Sequence, residues 1–446
     1  MSTKNAVRML IMSALVLAAG AAQAVEMSGY FRDSTGFNSK GGSMACFQMP
    51  GTYFKARLGN ECDRYLEMDF IQTGTVKDTG DWRVEFMPAS YQPTSGGANS
   101  LFIQQMWIGL KIPDLGGANL WAGRRYWKRH DVHSLDWFYW NPAQGNSSVG
   151  IEDVNTGFGK AAVTLIRMDV QLDGTPAPTV ADPHPTPVSS NLLKGTYMVP
   201  EVRLYDIPVN PDGTLEVGID LGIAYDQKLT AADVTNTTFV VGQHALGVNR
   251  AGVNPLFTIQ HNQANLLGGS NTLAFQYGTG AFAKTTGDGP GQLLAGGTSD
   301  DKQWRVIEHL VMNLTPEFST AVVVVYQDIS TAKTSIGGGY GIFSGELRPS
   351  YQFNNWFKVS ADLFYQTLTL KDAPSSVANK TANLTKVTVA PTFVLGRGYY
   401  ARPELRIFAT YGSWNQGAVD AGGVGGGAFG DSKSGMSYGA QAEIWF

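Results

Sequence analysis

Residues 434–446 read Ser-Gly-Met-Ser-Tyr-Gly-Ala-Gln-Ala-Glu-Ile-Trp-Phe. Tyr438, Ala440, Ala442, Ile444 and Phe446 fall on one face of an extended chain; Ser437, Gly439, Gln441, Glu443 and Trp445 fall on the other. Side chains alternate across a strand, so a segment apolar on one side and polar on the other separates two media. Lipid outside and water inside is one such pair. The pattern recurs along the chain. In 63–70, Leu66, Met68 and Phe70 oppose Asp63, Tyr65, Glu67 and Asp69; in 26–32, Met27, Gly29 and Phe31 oppose Glu26, Ser28, Tyr30 and Arg32. Segments 357–366 and 404–414 alternate in the same way, and further strands are expected at 197–208, 214–226, 271–280, 304–313, 317–328, 341–353 and 383–395. Turn signals such as Asn210-Pro211-Asp212-Gly213 separate them. A large soluble β-sandwich or propeller alternates too, with its apolar face buried, so alternation alone does not decide between them.

The rest of the chain favours the membrane wall. Lys4 and Arg8 precede an apolar run from Met9 to Ala19, and Ala22-Gln23-Ala24 is a small-x-small cleavage site. Residues 1–24 therefore read as a secretory signal peptide, with the mature chain expected to begin at Val25. Beyond Ala24 no run of 18 apolar residues occurs, which argues against a membrane-spanning helix. Only 16% of residues are charged and 53 are glycine, against a typical charged share of ~25%; aromatic-rich, glycine-rich alternating segments suit a barrel wall and its girdles. A formal charge of −4 gives no reason to expect a nucleic-acid partner. At roughly 23 residues per strand with its connection, residues 25–446 make one all-β unit, a transmembrane antiparallel β-barrel of about 18 strands. Glycine- and serine-rich stretches at 93–100, 286–301 and 415–435 read as surface loops rather than interdomain linkers. Cys46 and Cys62 read as a disulfide in an exported protein.

Aromatic residues on the polar face are the useful anomaly. Tyr30, Tyr65, Phe364, Phe408, Trp414 and Trp445 point with charged neighbours. A water-filled lumen has no general need of such rings. A pyranose stacks its C–H face on an aromatic ring while its hydroxyls bond to polar groups at the edge, the pairing typical of ligand sites. The structural alternative is that these rings pack beneath inward-folded loops. Residues 124–140 mix Arg124, Arg125, Lys128, Arg129, Asp131 and Asp136 with Trp127, Phe138, Tyr139 and Trp140. As part of a loop around 124–150 folded into the barrel, they would narrow the pore and line it with charges of both signs. His130, Asp131 and His133 lack an evident third partner for a metal, no cofactor is implied, and no persuasive Ser-His-Asp pattern suggests catalysis.

Ten short motifs, in order, carry a family resemblance over nearly the whole chain. They include Gly-Tyr-Phe-Arg at 29–32, Arg-Leu-Gly-Asn-Glu-Cys at 57–62, Trp-Ala-Gly-Arg-Arg-Tyr at 121–126, Arg-His-Asp-Val-His at 129–133 and Arg-Pro-Glu-Leu-Arg-Ile-Phe-Ala-Thr-Tyr at 402–411. The last is Glu-Ile-Trp-Phe at 443–446, a terminal aromatic of the kind outer-membrane barrels carry. The chain resembles the maltoporin family of outer-membrane maltodextrin channels. The resemblance implies a homotrimer of 18-stranded pores in the bilayer of the bacterial outer membrane, an oligosaccharide as substrate, and a Cys46–Cys62 bridge in the first loop. It implies sugar-stacking roles for Tyr30, Tyr65, Trp414 and Trp445, with Phe138 where the family has a constriction tyrosine. It implies a polar track or constriction of Arg32, Arg57, Glu67, Arg129, Asp131 and Asp136. A track arginine aligns with Phe102, a stacking phenylalanine falls near Gly269 or Ser270, and Tyr91 is a loose match for a tryptophan lent by a neighbouring subunit. Facilitated diffusion of oligosaccharides is thus the leading expectation. A general diffusion pore with structural aromatics and a barrel enzyme are the alternatives.

Overall fold

A computed structural model describes residues 25–49, 52, 54–94, 99–141, 146–171, 194–224, 252–283, 300–334, 337–373, 378–425 and 427–446. The expected signal peptide and most of the 286–301 stretch lie outside the described residues. The chain forms β1 (Glu26–Asn38), β2 (Asp63–Val76), β3 (Gly80–Pro93), β4 (Ser100–Lys111) and β5 (Asn119–Arg124). A small hairpin follows, β6 (His130–Val132) and β7 (Trp137–Trp140). Next come β8 (Ser147–Asn155), β9 (Lys160–Gln171), β10 (Lys194–Asn210), β11 (Gly213–Ala224), β12 (Val253–Leu266) and β13 (Gly269–Thr279). The wall ends with β14 (Lys302–Asn313), β15 (Phe318–Thr334), β16 (Gly337–Asn354), β17 (Phe357–Leu370), β18 (Thr381–Val394), β19 (Glu404–Trp414) and β20 (Ser434–Trp445).

Apart from β6 and β7, these strands make one 18-stranded antiparallel sheet. It closes because β1 pairs with β2 on one side and with β20 on the other, Tyr30 lying opposite both Glu67 and Trp445. Phe446 completes the seam, exchanging backbone hydrogen bonds with Gly29 at 2.8 and 3.1 Å. Closure removes the sheet edges, the condition for a β-structure in hydrocarbon. The alternation falls as the sequence implies. Leu363, Tyr365, Val387, Val389, Leu405 and Ile407 are exposed on the outside, whereas Asp362, Lys386, Thr388 and Arg406 are buried within. At one rim Trp356, Phe357 and Phe393 gather, with Trp356 stacked on Phe393 at 6.1 Å, as in an interfacial girdle.

The lumen is not open across its full width. β14, β15, β17 and β18 carry buried apolar residues where a wet lumen would want polar ones: Ile307, Val323, Val325, Phe364 and Leu384. Two inward segments cover them. The first loop supplies Phe47, Met49 and Phe54, and the hairpin supplies Val132, Leu135 and Trp137. The aqueous path is thereby pushed toward β1–β4. The expected disulfide is present, Cys46 and Cys62 lying 5.8 Å apart at Cα. Asn60 bonds the backbone of Phe47 in both directions, and buried Lys386 donates to the carbonyls of Lys55 and Ala56. Closing a loop of this size is worth about 3 kcal/mol on the chain-entropy model. Cys46→Ser with Cys62→Ser is therefore expected to loosen the first loop while the barrel keeps its strand content. Faster proteolysis in 39–62 at unchanged far-UV circular dichroism would show it; equal protection of that loop would contradict it.

Candidate functional site

The hairpin spans the lumen because its side chains find buried partners on opposite walls. Trp127 donates to Glu201 at 2.9 Å, Trp140 to Asp220 at 3.2 Å, and Tyr139 to Gln260, tying its base to β10–β12. Ser134 donates to Glu346 of β16 at 2.7 Å. At the tip Asp136 takes a left-handed backbone (φ 54°) and meets Arg32 of β1 at 3.1 Å and Lys55 of the first loop at 2.8 Å. The chain thus turns into the lumen after β5 and rejoins the wall at β8, which begins at Ser147.

Between hairpin and wall lies a cavity of about 360 Å³. It is lined by Tyr30, Arg32, Arg57, Tyr65, Glu67, Arg129, Asp131, Asp136, Phe138 and Trp445, ten of the expected site residues, together with Lys55, Asp63, Tyr91, Gln104, Tyr126 and His133. The aromatic residues follow one another along the wall. Tyr91 and Tyr65 are Cα partners across β3 and β2. The rings of Tyr65 and Tyr30 are 6.2 Å apart, Tyr30 and Trp445 are Cα partners, and Trp445 lies 6.3 Å from Tyr400 in the turn before β19. Arg402 sits 4.3 Å over the Trp445 ring and fixes its plane.

Trp414 lies elsewhere. It is buried at the loop end of β19 against Phe47 (6.1 Å) and Phe429 (5.7 Å), away from this cavity. Two covering segments converge on it, so its inward direction gives a packing role. Phe364 and Phe408 are likewise packed, Phe364 in the apolar cluster beneath the loops and Phe408 against Met44 and Leu58 beside the disulfide. Tyr400 stands beside Trp445 and His133, next to the cavity and not among the residues that line it. Its turn position has no alternation to betray it. Gly269 and Ser270 put no ring on the path, and Phe102 pairs with Ala89 where a track arginine was aligned. Tyr91, aligned with a ring from a neighbour, stands on this chain's own path.

The charges divide into paired and unpaired groups. Arg32 holds Asp63 through two bonds, 2.6 and 2.9 Å. Arg57 holds Glu61, Glu443 (3.0 Å) and the Tyr30 hydroxyl. Glu67 accepts from the hydroxyls of Tyr65 (2.5 Å) and Tyr126 (2.6 Å). Arg129 and Asp131 differ: their side chains make no ion pair or hydrogen bond among the described residues. Arg129 is held instead between Tyr126 (3.9 Å) and Phe138 (4.2 Å), ring stacking that leaves its N–H edge free. Burial works against the charge of Asp136, yet Arg32, Lys55 and Arg57 hold its carboxyl well below the ordinary carboxylate range. Burial, reinforced by Arg57, keeps His133 well below the usual imidazole value, so it is neutral at pH 7. Desolvation raises the Asp131 carboxyl, with Arg129 opposing. Among the described residues no cluster of His, Cys, Asp and Glu could hold a metal ion.

A closed 18-stranded wall, apolar outside and enclosing a narrowed, charge-bordered lumen, is that of an outer-membrane porin, a channel for diffusion. The chain belongs to the LamB porin family, whose model matches residues 25–446. Solved structures similar to it include Pseudomonas aeruginosa OccK2 (OpdF), at 9% identity and TM-score 0.48 over 95% of this chain and 97% of that one. Pseudomonas aeruginosa OpdQ is similar at 8% identity and TM-score 0.45 over 95% and 99%. Salmonella typhi OmpF, solved with daunomycin, is similar at 7% identity and TM-score 0.42 over 94% and 97%.

Proposed function

We propose that this channel carries oligosaccharides of the maltodextrin type by facilitated diffusion, as a homotrimer, and we assign it no catalytic step. One observation carries the reading: four aromatic residues, Tyr91, Tyr65, Tyr30 and Trp445, line one cavity with Arg129 and Asp131, the only two side chains of the expected track that lack a polar partner among the described residues, and Tyr400 extends the row beside Trp445. The rings offer successive stacking surfaces, so a sugar moves from one weak site to the next and still leaves. Arg129 donates to its hydroxyls and Asp131 accepts from them. The paired charges hold the hairpin in place. Liposome swelling tests this. Uptake of maltodextrins should exceed that of a non-aromatic-binding polyol of equal size; equal rates for both would favour a general diffusion pore whose rings are structural.

Comparing two rings makes the assignment specific. Tyr400→Ala is expected to weaken sugar block of the ion current about fivefold, whereas Trp414→Ala should leave it within about twofold, given roughly 1 kcal/mol per ring contact. The reverse order would return Trp414 to the path.

A further inference from the structure

The turn between β18 and β19, residues 395–403, is longer than joining two paired strands requires. On the same rim β16 and β17 are joined through Asn355 and Trp356 alone. The extra length runs sideways along the short-turn end of the barrel, the periplasmic end in such proteins. Gly396 and Gly398 take left-handed backbone, φ 102° and 100°, which glycine adopts without steric cost and which bends the chain inward. The strap is then pinned to the neighbouring turns. Gln352 of β16 donates to the Gly396 carbonyl at 2.6 Å. Arg397 donates to the Asn355 side chain at 2.7 Å and to the Pro316 carbonyl at 2.9 Å, with Glu317 at 3.5 Å. The Tyr399 N–H donates to the side chain of Asn313, at the end of β14, at 3.1 Å.

The strap delivers Tyr399 to the inner face of the wall. Its ring is buried with Val311 of β14 and Ala321 of β15, strands that β15, β16 and β17 separate from β18 in turn. Its hydroxyl has no hydrogen-bond partner among the described residues, so the ring and not the polar tip is what the site uses. That ring meets the Tyr400 ring at right angles, 4.9 Å away. Perpendicular pairs of this kind have a defined geometry. On its other side Tyr400 meets His133 of the hairpin at 6.1 Å and stands 6.3 Å from Trp445. Tyr400 is thus held between a buried ring and the hairpin while remaining exposed itself. Further along the strap, Arg402 lies over Trp445 and pairs with Glu443 at 3.0 Å. One turn therefore carries both groups that border Trp445 on the periplasmic side. A contact surface fixed beforehand loses less on binding than one that must be ordered by its ligand.

We propose that Tyr399 is a positioning residue for sugar passage: anchored by the strap and never touching the sugar, it holds Tyr400 in the plane in which a sugar leaving Trp445 meets it. The proposal rests on the oligosaccharide reading above and adds the residue that sets its last ring. The test is maltodextrin block of the ion current through the full chain in a planar bilayer. Tyr399→Leu keeps the buried side apolar but removes the ring, and should weaken block about threefold at unchanged conductance. Tyr399→Phe keeps the ring and should match the wild type. In a Tyr400→Ala background Tyr399→Leu should add nothing, leaving the pair about fivefold weaker than wild type instead of about fifteenfold, because the ring it acts through is gone. Arg397→Ala frees the strap from the neighbouring turns without touching the buried side, and should weaken block about twofold; it decides the matter if the leucine variant does not assemble. Unchanged block in both Tyr399→Leu and Arg397→Ala overturns the assignment and leaves the sugar reading standing. So does a phenylalanine variant as weak as the leucine one, or fully multiplied losses in the pair. A wild type indifferent to maltodextrin overturns the sugar reading and this assignment together.

Discussion

Trp445→Ala is expected to weaken sugar block of this channel about tenfold while ion conductance stays the same or rises. The ring is central on the path, opposite Tyr30 in register and 6.3 Å from Tyr400. Arg402 stacks over it at 4.3 Å and His133 meets it edge-on at 5.4 Å, so its plane is set before any sugar arrives. A preorganised ring loses little entropy on binding, and stacking worth roughly 1–2 kcal/mol corresponds to about a five- to thirtyfold change in affinity. Ions do not need the ring, and its removal widens the path. The current through a planar bilayer, titrated with maltodextrin, reads both quantities. Unchanged block would take Trp445 off the path; loss of conductance along with block would mean that the ring supports the wall.

The second large effect is expected from Asp136→Asn, which should release the hairpin tip. Asparagine tolerates the left-handed backbone that Asp136 adopts, so the substitution removes charge without new strain. It leaves Arg32 and Lys55 facing each other with Asp63 as their remaining shared carboxylate. Breaking a buried pair by removing one partner costs about 3–5 kcal/mol. The anchors at Ser134, Tyr139 and Trp140 persist, so the barrel should still assemble. The expected readout is a noisier channel of higher mean conductance with weaker sugar block. A quiet channel of unchanged conductance would mean that the tip does not depend on this pair. Because the native carboxyl is held well below its ordinary value, its contribution is present above the unfolded pKa and is lost only as pH falls through the folded one. The wild-type tip should therefore stay docked under mild acid.

The barrel was legible wherever one face meets lipid and the other meets water. β17, β19 and β20 show this plainly, and their bounds fall close to the segments read from alternation. β3 and β4 were harder, since a register shift at Met87 and Pro88 breaks the period. β15 runs Ala-Val-Val-Val-Val-Tyr at 321–326, apolar on both faces, because its inner face lies beneath loops. The same burial takes in Trp414: alternation tells which side of the wall a ring faces, not whether a loop already covers it. Tyr30, Tyr65 and Trp445 were legible as lumen-facing because strand period and lumen charge coincide there. Tyr400, Tyr126 and Lys55 sit on turns and inward segments, where position depends on tertiary contacts such as the stack with Trp445 or the Tyr126 bond to Glu67.

Sugar-dependent closure of single channels tests the central claim most directly. Wild-type protein in a planar bilayer, exposed to a homologous series of maltodextrins, should show reversible closures whose frequency rises with concentration and whose duration lengthens with chain length until the five-ring path is filled. An ion current indifferent to every sugar in the series, at concentrations where a sugar channel saturates, would contradict it.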